Sequence, residues 1–563
     1  MAKRISLYAL LLASIAAGQP AAYWTTEQAL QVRSVDDARP SPDGVWVAYT
    51  QTRQIMDSEQ SESTNQILLA RADGSRRVQL TRGEKSSSSP SFSPDGAWVY
   101  FTSSRSGANQ VWRIRVDGGE GEQITNLKHG VDRYVLSPDG KQVAFTAHEP
   151  DPSIETAKKE RRDVEVVDQN PPNAALYVIP ADADARDRRA HRRIASGDYH
   201  VGGAVSPFVP MAWSPDSRLI AFTHTKRSGA EYWPTADISE VEVESAVVKP
   251  LATTGASESE ALYSPDGRWI VYQRSSNPPR WAIDGRIVLL PRAGGPAREL
   301  APTFDEWPFI VGWDAASQHV LFLETRRTKA VLYAMPLNGP PVVLLPQEQG
   351  TLGFAFLNAT GTHVAYPRSS PSEAPEVYSM SLAARKPVQV SSANTALPKL
   401  EFPKTEVLRW KSKDGLEVEG LLTYPAVYET GKKYPLLLNI HGGPASQFFE
   451  WFIGGPGIHP LATLAGKGYA ILRPNPRGSS GYGRMFRFAN ENDWGGGDYE
   501  DVMAGVDAVI AKGVADPERL GVMGWSYGGF MTSWIIGHTK RFKAAVAGAA
   551  VTNLWLIFYS AKS

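Results

Sequence analysis

The 563-residue chain contains no cysteine. That excludes disulfides and metal sites built on thiolates. It also lacks a charge excess, since 59 lysines and arginines balance 59 aspartates and glutamates. A chain of zero net charge offers no electrostatic pull toward nucleic acid or an anionic surface. No group of His, Asp and Glu has the spacing of a metal site, and no cofactor is expected. Long apolar runs are missing too. The run Ile5–Ala17 is too short to span a bilayer comfortably. Lys3-Arg4 precedes it and Ala16-Ala17-Gly18 closes it, so residues 1–22 read as a secretory signal peptide cleaved near Gly18 or Ala22. A retained membrane anchor is the alternative. Export without cysteines suits a bacterial periplasmic or secreted protein, with no stable membrane insertion after cleavage. The length allows two or more domains with large cores.

What is present is, first, a repeat. Ser41-Pro42-Asp43-Gly44 precedes the β-rich run Val45–Tyr49, and the pattern returns at Ser93-Pro94-Asp95-Gly96, Ser137-Pro138-Asp139-Gly140, Ser214-Pro215-Asp216-Ser217 and Ser264-Pro265-Asp266-Gly267. Two weaker copies follow, Trp313-Asp314-Ala315-Ala316 and Asn358-Ala359-Thr360-Gly361. Pro-Asp-Gly makes a tight turn, so each copy is a hairpin. Seven copies spaced roughly 45–50 residues apart predict a seven-bladed β-propeller with one four-stranded sheet per blade. The longer gap between Pro138 and Pro215 holds Lys158–Asp163, Pro171-Pro172 and Asp182–Arg189. These stretches read as solvated surface loops over a rim, and substrate contact by Glu160 or Arg162 is the sharper alternative.

From residue 396 onward the pattern changes. Tyr434–Ile440 reads as a buried strand followed by the Gly-rich His441-Gly442-Gly443-Pro444. Tyr469–Leu472 is another strand, and it leads into Arg473–Gly483, too rich in Gly and Pro for a helix. A helix opens at Gly495–Val502, where Asp498 and Asp501 read as capping residues rather than catalytic acids. Asp516–Arg519 reads as a turn and Leu520–Gly524 as a short strand. Then comes Gly524-Trp525-Ser526-Tyr527-Gly528, of the form G-x-S-x-G, opening the apolar helix start Phe530–Ile536. One more strand is expected over Phe542–Val551. The order predicts an α/β-hydrolase domain, a doubly wound and mostly parallel sheet cut off partway. Strand, tight turn and helix are the context a nucleophile elbow needs, with Ser526 held in strained geometry and its hydroxyl exposed. An acyl transfer builds negative charge on an oxygen, and two preorganised N–H groups must meet it. Those of Tyr527 and Gly443 are the candidates. His441 reads as a loop histidine beside that site rather than as the base.

Together, the repeats, His441-Gly442-Gly443-Pro444, Arg477-Gly478-Ser479-Ser480-Gly481-Tyr482-Gly483 and Gly524–Phe530 resemble the prolyl oligopeptidase family of serine peptidases, its acylaminoacyl-peptidase and bacterial dipeptidyl-peptidase branch above all. The resemblance implies three parts: a signal peptide at 1–22, a propeller at 23–395 and an α/β-hydrolase catalytic domain at 396–563, incomplete at its C-terminus. It implies a Ser526 nucleophile, an acyl-enzyme, short peptide substrates admitted under a propeller roof, and a primary specificity pocket near Trp555, Phe558 and Tyr559. The sequence also departs from the family. Its acid and histidine base lie on loops after the next two strands, and His538 is the only histidine between Ser526 and Ser563. The chain is therefore expected to be a fragment without normal turnover. A serine esterase, and a non-catalytic propeller binding module with a hydrolase remnant, are the other readings. Oligomeric state is not legible.

Overall fold

The computed structural model describes residues 23–553 apart from 58, 149–151, 163–171, 185–190, 204–209, 346–349, 399 and 401. The proposed signal peptide, Trp555, Phe558, Tyr559, Asp163, Pro171 and 185–189 lie outside the described residues. Among the described residues, no helix is long and apolar enough to cross a membrane.

Seven antiparallel sheets follow one another along the chain, each made of consecutive strands. The first blade shows the plan, with strands Ser34–Pro40, Trp46–Met56, Ser61–Arg71 and Arg77–Gln79. The Ser-Pro-Asp-Gly turn joins its first two strands and is closed by its own residues. In the second blade's copy the Ser93 hydroxyl donates to Asp95 at 2.5 Å and accepts from Trp98 N–H at 2.9 Å, while Gly96 N–H returns to the Ser93 carbonyl. Gly96 has φ 70°, a conformation that glycine adopts without strain. Ser217 and Ser317 take the same left-handed position at φ 60° and 56°. Each hydroxyl accepts a bond from the neighbouring blade, from Asp139 N–H and Asp266 N–H respectively, which offsets the strain. In the two weaker copies Asp314 and Asn358 replace the first serine. Their side-chain oxygens accept from the N–H five residues on, at His319 and His363, as the serine hydroxyl does elsewhere.

Apolar clusters fill the spaces between blades. Ile67, Leu69, Phe92, Val99 and Phe101 join the first blade to the second. Val35, Val47 and Tyr49 meet Ala365, Val377 and Val390, which closes the ring between first and seventh blades. Among the described residues no strand crosses that seam; side chains and a few polar bonds close it, such as Arg77 Nε to the Val390 carbonyl at 2.7 Å. The long third-blade gap is not all loop. Pro152–Lys159 is a helix, as a stretch of Glu, Ala and Lys without glycine permits.

The second domain is one six-stranded sheet in the order 405–411, 417–423, 470–475, 434–440, 515–525, 542–548. The first two pairings are antiparallel and the other three parallel. The fifth strand begins at Ala515, so it takes in Asp516–Arg519, where the sequence suggests a turn. A register shift near its start accommodates the local Asp516 bond to Glu518 N–H. Helix Gly497–Ala511 covers one face through Val502, Val506 and Val509. Trp24 and Val32, ahead of the first blade, pack with Ile453 and Ala462 of this domain.

Candidate active site

Ser526 stands between strand Ala515–Trp525 and helix Tyr527–His538 with φ 59° and ψ −118°. A non-glycine residue held there costs about 1–3 kcal/mol and persists only where its surroundings fix it. Here its N–H donates to the Gly548 carbonyl at 3.0 Å, and its carbonyl accepts from Phe530 N–H at 3.0 Å. The two flanking glycines are required by close approach. A Cβ on Gly524 would lie 2.3 Å from the Gly528 carbonyl oxygen, and one on Gly528 would lie 2.1 Å from that of Ile440. Strand, elbow and neighbouring strand are pressed together where any side chain would part them.

Strand Tyr434–Ile440 delivers the glycine loop to the same spot. A Cβ on Gly442 would stand 3.3 Å from Ser526 Cβ and 3.9 Å from its Oγ. The backbone N–H groups of Gly443 and Tyr527 have no hydrogen-bond acceptor among the described residues. Tyr527 opens its helix, where the first N–H groups have no partner within the helix.

His441 is buried in this loop. Its Nδ1 lies 2.7 Å from the Gly442 carbonyl and its Nε2 3.1 Å from Ser479 Oγ. A carbonyl only accepts, so Nδ1 carries the proton and Nε2 accepts the Ser479 hydroxyl. Burial pulls its pKa down to about 4, so the ring is neutral at pH 7. With both nitrogens committed, His441 braces the loop. His538 ends the elbow helix, about 16 Å along the axis from its start at 1.5 Å per residue. Its ring stacks on Trp534 at 4.1 Å and its Nδ1 donates to the Trp534 carbonyl. Neither histidine is placed to take the Ser526 proton.

Asp498 and Asp501 of helix Gly497–Ala511 are both buried. Asp501 binds Arg477 three times, through the backbone N–H at 2.8 Å and the guanidinium at 2.9 and 2.7 Å. That fixes the base of the Arg477–Gly483 loop, and Ser480 N–H ties the loop to the Ser446 carbonyl at 3.0 Å. Asp498 accepts from Gly495 N–H and Tyr499 N–H, both at 2.8 Å, and from the Tyr527 hydroxyl. Burial pushes its pKa up to about 6 against those bonds. Both are structural acceptors, and Asp498 reaches the elbow itself, which the sequence reading misses.

A further group missed by the sequence reading lies at the joint with the propeller. Arg484 and Arg487, on the short helix after the loop, reach Asp284 at 2.9 Å and Asp305 at 2.6 Å. Basic residues after a Gly-rich loop look solvated, and nothing local signals the full burial of Arg487. Among the described residues no group of three or more His, Cys, Asp and Glu could hold a metal ion.

Comparison with known proteins bears on the family and the fold. Residues 458–563 match the prolyl oligopeptidase family and residues 37–175 the TolB β-propeller domain. The chain is 37% identical over 251 residues to an uncharacterized peptidase, YuxL, of Bacillus subtilis, covering 44% of this chain and 37% of that protein. It is 27% identical over 364 residues to dipeptidyl-peptidase 5 of Porphyromonas gingivalis, covering 61% and 50%. The chain thus spans half or less of the length of these relatives. Among solved structures, acylaminoacyl peptidase of Pyrococcus horikoshii superposes with a TM-score of 0.73 at 19% identity, over 93% of this chain and 78% of that one. Puromycin hydrolase superposes at 0.68 and 19%, over 94% and 80%. These likenesses fix the fold, seven blades followed by an α/β-hydrolase sheet. The chain carries a prolyl oligopeptidase family domain behind a β-propeller.

Proposed function

We propose that the protein is a serine peptidase that hydrolyses short peptides through Ser526. The observation that carries this is the strained Ser526 backbone with the Gly442 loop packed against it. In the reaction, Ser526 Oγ bonds to the peptide carbonyl carbon as its proton passes to a histidine base. The oxygen that becomes negative is met by the N–H groups of Tyr527 and Gly443. The C–N bond then breaks, the amine leaves with the proton, and water repeats the sequence on the acyl-enzyme. The base is not assigned to a residue of this chain, because His441 and His538 are committed elsewhere.

The names of its relatives, dipeptidyl-peptidase 5 and acylaminoacyl peptidase, support release of dipeptides or acylated residues. The propeller at 23–395 would roof the catalytic domain at 396–563 and admit only short chains. Trp555, Phe558 and Tyr559 are proposed to line the primary specificity pocket. Residues 1–22 are proposed to direct export to the periplasm or beyond. The test uses the complete gene product, a fluorophosphonate probe, and parallel dipeptidyl amide, acetyl-aminoacyl amide and simple ester substrates. Amide turnover and labelling, both lost in Ser526→Ala, support the reading. Ester turnover alone makes the protein an esterase, and neither activity leaves a binding module.

A further inference from the structure

Tyr527 carries one of the two N–H groups assigned to the oxyanion, and its side chain is 1% exposed. Trp494 meets the ring edge-on at 4.9 Å and Phe530 packs at 5.9 Å. Its hydroxyl ends on Asp498 Oδ2 at 2.5 Å. The other carboxylate oxygen is filled by Gly495 and Tyr499 N–H, so Asp498 is itself held from two sides. A capping role would use one oxygen on the helix start and leave the other to water. Here that second oxygen is spent inside the protein, on the residue next to the nucleophile.

We propose that Asp498 is a positioning residue for acyl transfer: by holding the Tyr527 hydroxyl it fixes the peptide plane between Ser526 and Tyr527. The inference rests on the serine-peptidase reading above. Ser526 N–H is anchored on Gly548 at one end of that short segment, and the Tyr527 ring tip is anchored on Asp498 at the other. With both ends held and the peptide planar, the Tyr527 N–H cannot swing away. A donor serves a developing oxyanion only if it already stands in place, because turning it during the reaction forfeits most of the gain. The hydroxyl anchor adds to the Gly548 and Phe530 bonds that keep Ser526 in its strained conformation.

The test is Tyr527→Phe, Asp498→Asn and the double variant in the complete gene product, beside Ser526→Ala. Asp498→Asn keeps an acceptor for the two N–H groups and offers an amide donor to the Tyr527 oxygen, so it preserves packing. We expect kcat to fall about 10–100-fold in Tyr527→Phe with KM within twofold, and less in Asp498→Asn. The fluorophosphonate labelling rate should fall in step. The double variant should be no worse than Tyr527→Phe, as residues acting in one chain are not additive. A lowered Tm with unchanged kcat, or a raised KM alone, overturns the proposal. If Ser526→Ala abolishes turnover while the other variants keep wild-type kcat, only this inference falls. If Ser526→Ala keeps turnover, the serine reading falls and this one with it.

Discussion

The guanidinium of Arg487 is fully buried and lies 2.6 Å from the carboxylate of Asp305, across the joint between propeller and α/β domain. It donates as well to the backbone oxygens of Ala282, Ile283 and Asp305. Burial pulls its pKa down and the surrounding carboxylates hold it up. Close by, burial pushes Glu324 up to about 7, with the Asp305 charge adding to the rise. Arg487→Ala would strand Asp305 in that site. A loss of about 3–5 kcal/mol is expected, read from the urea midpoint. Arg487→Met with Asp305→Leu should lose much less, because no buried charge is left unpaired.

Gly528→Ala puts a Cβ 2.1 Å from the Ile440 carbonyl oxygen, and backbone on both sides must move. At least about 1–3 kcal/mol of stability should go, together with labelling of Ser526. Gly537→Ala, on the same helix, meets nothing within 4 Å. It should instead stabilise by roughly 0.4–1 kcal/mol, through a less flexible unfolded chain. Thermal unfolding of the two variants side by side checks both.

These contrasts mark what can be read along the chain and what cannot. The Ser-Pro-Asp-Gly turns are legible because Ser93, Asp95 and Gly96 satisfy one another within four residues. The copies at Asp314 and Asn358 are fainter because only the acceptor is kept, not the letter. The elbow is legible for a similar reason: Gly524 and Gly528 mark the crowding locally. Arg487 with Asp305, and Tyr527 with Asp498, are partners remote in sequence, and each side chain alone looks like an ordinary surface or capping residue. Helix Pro152–Lys159 and the strand through Asp516–Arg519 depart from expectation where charge and turn residues suggest loops.

His441 gives a pH prediction. Its pKa is lowered to about 4 in the fold, below the unfolded value near 6.5. Its neutral form therefore supports the fold fully above about pH 6.5, and that support is lost as pH falls through 4. The unfolding free energy of the wild type should drop by roughly 3 kcal/mol more than that of His441→Asn between pH 7 and pH 4. Urea titrations at pH 7, 5.5 and 4 measure the difference.

Strand Phe542–Gly548 pairs on one side only among the described residues, and Val546 is 60% exposed. An apolar open edge recruits other strands. In the 563-residue chain, Val546→Lys should reduce self-association, seen as lower light scattering at equal concentration. Unchanged scattering would place the sticky surface elsewhere.

The seam between the first and seventh blades has a consequence for biosynthesis. Every blade is contiguous, so its hairpins form from nearby residues as they leave the ribosome. Val35, Val47 and Tyr49 are different: their partners at Ala365, Val377 and Val390 leave the ribosome roughly 320 to 350 residues later. At 5–20 residues per second the first blade waits roughly 20–70 s with an apolar flank uncovered. During that interval the nascent chain is most exposed to chaperones, to proteases and to pairing with a neighbouring copy.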